Sequence, residues 1–402
     1  MSTMSTDTTS TRKGQSLKNR RIEVLRRSGS IKKNKIALDK PTPAFYWILI
    51  VVSLFILLGV VMVLSSSSVT SLHTGSSAWG MFFRQLAWVG LGGFAMWITY
   101  SIPYSTWRDP LKLGPAAIVV LGMNLVVLAK GQVIGGAKAW LDIGPFRFQP
   151  SEFMKVIAIL FAANLLANRH RAIAIKSMVL WPMLAVVGVT AGLCGLQKDY
   201  GSALIFAGTM LAMLQLAGVP KMQLVGTGLG FLGAGVLVMT YADRASERMM
   251  AFMNLEGTKE DVGYQVYQAL LSIANGGWTG TGIGAGTSKW GYVPLAYSDF
   301  IFSVIAEEMG ILGTVIVIGG FLLLVLLGIQ VALTSSDMYG AFLAGGIASW
   351  FGIQAIVNIG GVTGTLPMTG LTLPFLSYGG SSMIASMAAV GLLLNVARFA
   401  RR

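Results

Sequence analysis

A chain of 402 residues with a formal charge of +14, of which only 11% are charged and 54% hydrophobic, has too few charges to cover a water-soluble surface. A mean hydropathy of +0.68 and recurrent apolar runs of about 17 to 25 residues, each able to cross ~30 Å of hydrocarbon as a helix, imply a multi-spanning membrane protein. The single cysteine, Cys194, excludes an intramolecular disulfide framework, and two histidines in separate loops, His73 and His170, argue against a histidine-built metal site or a Ser–His–Asp triad.

Residues 1–42 are rich in Ser, Thr, Lys and Arg and read as a disordered basic tail that can lie against anionic lipid. No convincing cleavage site follows, so the first apolar run reads as a retained helix. Ten spans are expected, at 44–66, 82–103, 113–129, 153–168, 178–195, 201–218, 222–241, 300–334, 339–362 and 380–398. The fold class is therefore all-α and polytopic, residues 43–402 forming one transmembrane domain. The tail, Arg108, Lys112, the "NRHRAIAIK" loop, Lys221 and the closing "RFARR" fall on one side, which the positive-inside rule makes cytoplasmic, with both termini. Two segments on the opposite side stand out. Residues 130–152 are too polar to span, and residues 242–299 make a large extracytoplasmic loop between spans 7 and 8.

That loop ends in "AYSDFIFSVIAEEMG", which sets Asp299, Glu307 and Glu308 at the mouth of an apolar run. Acids are costly in a bilayer and mark function there. In a helix, Glu307 lies roughly 12 Å along the axis and about 80° around from Asp299, so the two can border one cavity while Glu308 turns away. Asp299 at the boundary can accept a proton; the alternative is a helix N-cap. For Glu307 the alternative is a structural ion pair, and for Glu308 a packing role is favoured.

Four ordered stretches, "FRFQPSEFMKV", "GYQVYQALLSIANGGWTGTGIG", "SDFIFSVIAEEMG" and "TGLTLPFLSYGGSSM", resemble those of the SEDS family (shape, elongation, division, sporulation). The resemblance covers essentially all of residues 44–398, and "TGLTLPF" with the "LLLNVAR" end favours the division branch, FtsW, over the elongation branch, RodA; sporulation members share much of that form. It implies a peptidoglycan glycosyltransferase that polymerises lipid II on the outer face of a bacterial cytoplasmic membrane at the division septum. It further implies a class B penicillin-binding protein as partner, contact with other division membrane proteins, and no nucleic acid.

By resemblance Asp299 is the catalytic aspartate and Glu307 a second important acid. An inverting sugar transfer needs a base at the acceptor hydroxyl and positive charge at the departing diphosphate. Asp299 is the expected base. Lys155, Lys138, Arg147, Lys289, Arg244 and Arg248 are the cations, Lys155 foremost because it follows "QPSE" near a helix N-terminus. A divalent cation, Mg or Mn, is a further expectation, with Asp299 as a possible ligand. Glu152 and Lys155 match the family's "QPxExxK" and can equally form a local ion pair. Trp140 covers a sugar face or anchors the interface, and Arg84 meets substrate or snorkels to the surface. The glycines of "NGGWTGTGIGAG" lack the spacing of a nucleotide loop and suit tight turns at a cavity rim.

Leu295 and Tyr297 stand where the family carries an acid and a histidine, Ala139 where an arginine is common, and Lys198 in place of proline in "QPDxG", leaving Asp199 to carry that motif. Two rivals remain at this level: a lipid II flippase, since polar groups within helices also suit a carrier, and a scaffold that recruits the transpeptidase.

Overall fold

The computed structural model describes residues 41–73, 79–144 and 146–400, so the basic tail lies outside the described residues. Helices form at all ten expected positions: α1 Pro43–His73, α2 Trp79–Ser101, α3 Pro110–Lys130, α4 Pro150–Asn168, α5 Leu180–Leu196, α6 Tyr200–Leu216, α7 Lys221–Tyr241, α10 Ile301–Thr334, α11 Met338–Val362 and α12 Gly380–Phe399. Seven of these are long and apolar enough to cross a membrane; α5 and α6 are apolar but shorter, at 17 residues each. Two further helices, α8 Asp243–Met253 and α9 Tyr264–Gly276, fold the large loop, which hydropathy alone had left without structure.

The fold is predominantly helical, as expected, with one small addition. Residues 132–148 form a small antiparallel sheet in the order β1 Gln132–Ile134, β2 Ala137–Ile143, β3 Phe146–Phe148, with Gly135–Gly136 turning the first hairpin. A glycine pair with positive φ at both positions closes a two-residue hairpin in the right twist, and the segment is too short and polar to span as a helix.

Packing sorts the helices. The apolar windows of α12 and α11 are 83% and 72% buried, against 17% for α3 and 6% for α7, so the core runs through the first pair and the flanks of the second are left for hydrocarbon. The small residues of 339–352 are used inside the bundle: a Cβ on Gly346 would fall 2.8 Å from Ile159 of α4, and one on Gly345 2.7 Å from Leu216 of α6. Asn395, in "LLLNVAR", donates to the carbonyls of Tyr100 (2.5 Å) and Ile102 (2.7 Å), satisfying the C-terminal end of α2.

The feature that positions the site is a break in α10. Gly310 has φ 63° and ψ −153°, dividing α10 into a short first arm, 301–309, and the long span beyond it. The glycine-rich loop after α9 repairs the break: Thr281 and Gly282 donate backbone N–H groups to the carbonyls of Glu307 (2.9 Å) and Glu308 (3.0 Å), and Ile311 donates to the carbonyl of Gly277 (3.1 Å). At Gly280, φ is +80°, and an added Cβ would lie 2.2 Å from the Glu308 carbonyl oxygen. Gly280→Ala is expected to cost about 3 kcal/mol, from left-handed strain plus overpacking. Thermal unfolding of the purified variant checks this, and an unchanged midpoint would refute the packing argument.

A candidate active site beside Asp299

Asp299 is the penultimate residue before α10 and is held from behind through its backbone. Asn358 of α11 donates to its carbonyl at 3.0 Å, while Ser377 donates to the Ser298 carbonyl at 2.7 Å and the Tyr378 N–H to the Tyr297 carbonyl at 2.9 Å. The "SYGG" stretch thus fixes the loop from outside. The Asp299 side chain is half-buried and accepts a hydrogen bond from Ser298 Oγ at 2.9 Å. The N-cap of α10 is Phe300, with no side-chain capping bond, so the carboxylate is not spent on its own helix. The N-cap alternative for Asp299 does not hold.

The carboxylate opens on a cavity of about 370 Å³. Its walls bring together three acids, Asp299, Asp199 and Glu152, with Arg84, Arg147, Lys198, Arg244 and Arg248, and the ring of Trp140 on β2. Arg248 donates to the Thr369 carbonyl at 2.6 Å and Arg244 to the Lys198 carbonyl at 3.3 Å. Gly370 makes room for both reactive groups, because a Cβ there would stand 3.0 Å from Arg248 Nη2 and 3.5 Å from Asp299 Oδ2. Ion pairs within 4 Å among the described residues join Arg147 to Asp142 (3.8 Å), Lys155 to Glu152 (2.7 Å) and Lys289 to Glu308 (3.3 Å). None involves Arg244 or Arg248, whose remaining N–H groups are available to an anion.

Burial dominates the electrostatics. It pushes the Asp299 carboxyl above its ordinary range, with Asp199 adding to the rise, against the Ser298 hydrogen bond and the charges of Arg248 and Arg244. Burial, then the like charge of Arg244, brings Arg248 down to about 10, which leaves it cationic at neutral pH. Burial raises the Tyr297 phenol, so it stays a neutral group on the cavity wall where the family carries a histidine.

Of the expected site residues, Asp299, Glu152, Trp140, Arg84, Arg244 and Arg248 meet at this cavity, as does Arg147. Four lie elsewhere, and each placement is a correction. Glu307 is fully buried behind the loop, where its carboxylate accepts five hydrogen bonds: from Asn275 Nδ2 (2.9 Å), Thr287 N and Oγ1 (2.8 and 2.7 Å), and Ser288 N and Oγ (3.1 and 2.5 Å). Such an acceptor holds a loop rather than moving a proton. Lys289 turns inward to Glu308, which also takes Ser65 Oγ of α1 at 2.6 Å and Gly284 N at 2.9 Å. Lys155 is only 2% exposed, bonded to Glu152 and to Gln354 Oε1 (3.1 Å) with its ammonium 5.3 Å from the Trp350 ring centre, so the ion-pair alternative describes it. Lys138 donates to the carbonyls of Leu128 (2.7 Å) and Ala129 (3.2 Å), a cation at the C-terminus of α3.

Asp199 and Lys198 were the site residues the sequence reading left out. Asp199 caps α6 through Ser202 N (3.1 Å) and receives Gln149 Nε2 (3.2 Å); the "QKDYG" motif was its signal. Lys198 and Leu295, two of the departures from the family pattern, both have φ 58° and both line the cavity. A proline cannot adopt that angle, so the backbone at 198 excludes the proline of the family pattern. As to a resident divalent cation, no three His, Cys, Asp or Glu side chains lie close enough together among the described residues to hold a metal ion, and the three carboxylates at the cavity are outnumbered by its five cations. The side chains by themselves do not complete a metal site.

Residues 45–402 match the FtsW/RodA/SpoVE family, described as cell cycle proteins. The chain belongs to this family. Among its FtsW/RodA/SpoVE relatives, stage V sporulation protein E of Bacillus subtilis is 35% identical, over 88% of this chain and 97% of its own. A probable peptidoglycan glycosyltransferase FtsW of Geobacter metallireducens is 37% identical, over 84% and 90%. A solved structure described as structural coordination of polymerization and crosslinking by a peptidoglycan synthase complex superposes with a TM-score of 0.71 at 28% identity, covering 88% of this chain and 97% of that one. RodA of Thermus thermophilus gives 0.64 at 26%, covering 92% and 99%. Like its FtsW/RodA/SpoVE relatives, the chain is a multi-pass membrane protein of a bacterium.

Proposed function

We propose that the chain is a peptidoglycan glycosyltransferase that polymerises lipid II, with Asp299 as the general base. The observation that carries this reading is a carboxylate free of its own helix, facing a cavity whose other walls supply five cations. Asp299 takes the proton from the acceptor sugar hydroxyl as that oxygen attacks the anomeric carbon of the growing chain. The bond to the lipid diphosphate breaks on the opposite face of the sugar, which inverts the centre. Arg244 and Arg248 receive the developing negative charge, and Trp140 offers a flat apolar wall to a sugar. Glu152 stands on the same cavity wall, its Oε1 held by Lys155 and its Oε2 buried without a hydrogen-bond partner.

The basic loops support an active site on the outer face with cytoplasmic termini. Relatives named FtsW support a division role at the septum, alongside other division membrane proteins, and the superposable synthase complex supports a class B penicillin-binding protein as partner. The test is lipid II supplied to the purified chain with its cognate transpeptidase in liposomes. Glycan polymer is expected. Scrambling of fluorescent lipid II with no polymer under any condition would leave a flippase instead.

The charges around Asp299 set a pH dependence. The base must be ionised, and its folded pKa is raised, so kcat/KM falls as pH drops through a value above the usual carboxylate range. Arg248 lowers that pKa, so Arg248→Gln is expected to move the acid limb to higher pH as well as to weaken substrate binding. A limb that stays in place or moves down in the variant would show that Asp299 is not the titrating base.

A further inference from the structure

A second cavity, of about 200 Å³, shares Arg244 and Arg248 with the first. One wall is a stripe of α8 in which the polarity changes along the axis: Arg244 and Arg248 at the end next to the main cavity, then Ala251 and Phe252, with Leu255 just past the helix. The facing wall is apolar, with Val262 just before α9, Val266 in its first turn, and Leu366 and Met368 after α11; Gln265 is its one polar side chain, and Glu247 stands exposed beside the arginines. Cations at one end and hydrocarbon-lined space at the other match an anionic amphiphile. The place also suits one. α8 begins two residues after the end of α7, a span flanked mainly by hydrocarbon, and its Met250 and Met253 are 56% and 76% exposed, as side chains dipping into an interface would be.

We propose that this second cavity receives the first isoprenoid units of the lipid diphosphate, with Arg244 and Arg248 gripping the diphosphate at the boundary between the two cavities. The inference rests on the polymerase reading for the identity of the lipid, but the cavity predicts a binding property of its own. The leaving group would then be held by both its charge and its tail while Asp299 works on the other side of the arginines.

The experiment measures binding of geranyl diphosphate, inorganic diphosphate and the dipeptide Ala-Ala to the full chain in nanodiscs. Geranyl diphosphate is expected to bind at least tenfold more tightly than inorganic diphosphate. Val266→Phe and Leu366→Phe, which fill the apolar half, are expected to abolish that advantage while leaving inorganic diphosphate binding within about twofold, which also reports that the arginine end is folded. Arg248→Gln should weaken both diphosphates. Equal affinity of the two diphosphates for the wild type, or an advantage that survives both filled variants, overturns the proposal. Competition by Ala-Ala in place of geranyl diphosphate overturns it too and assigns the cavity to a peptide stem. Absence of lipid II polymerisation together with the expected binding pattern would instead count against the polymerase reading and leave the site standing.

Discussion

Asp299→Asn is expected to lower lipid II polymerisation by about 10²- to 10⁴-fold, the usual worth of a positioned base, through kcat more than KM. The reason is local. Asparagine keeps the shape and the oxygen that accepts from Ser298, but cannot take a proton, and no helix amide depends on the side chain. Thermal unfolding of the variant should therefore stay close to wild type. The check is glycan product per enzyme, measured with the cognate transpeptidase present, beside the unfolding midpoint of the same sample. If the variant keeps more than a tenth of the activity, the proton goes elsewhere, and Asp199 and Glu152 are the other acids on that wall.

Glu307→Ala should fail in a different way. Its carboxylate gathers Asn275, Thr287 and Ser288, closing the segment that leads to Asp299 onto the first arm of α10. Removing it orphans several buried donors at once, at ~1–3 kcal/mol each before relaxation, so a loss of about 4 kcal/mol or more follows. That corresponds to a midpoint lower by roughly 10 °C, with activity falling because the loop under Asp299 loosens. Glu307→Gln, which keeps one acceptor oxygen and turns the other against N–H and O–H donors, should lie between. An alanine variant that unfolds like wild type but has no activity would reverse the assignment and return Glu307 to the chemistry. Loss of activity alone does not separate the two acids, but activity and stability measured together do.

Much of the fold was legible because hydrocarbon is a simple solvent. Ten apolar runs became ten helices at nearly the expected bounds, since a backbone in lipid must satisfy its own hydrogen bonds. Asp299 was legible too, as an acid at the edge of such a run. The sheet at 132–148 and helices α8 and α9 were less visible, because their residues are neither apolar enough for the span signal nor long enough for a clear period of their own.

The cations divided differently. Lys289 looked as free as Arg244 and Arg248, and Lys155 stood foremost with a local ion pair to Glu152 as its alternative; Lys155 is held by that Glu152 and by Gln354, 199 residues away, and Lys289 by Glu308, which also takes Ser65 of α1, 243 residues before that acid. The primary structure by itself determined the apolar spans and the family motifs, because each depends on composition within one window. Only the tertiary structure decided which charges face the cavity beside Asp299 and which brace the bundle. A buried ion takes whatever partner the packing brings within about 4 Å: Glu152 is local to Lys155, but Gln354 and, for Lys289, Ser65 come from chain segments no local pattern connects to them.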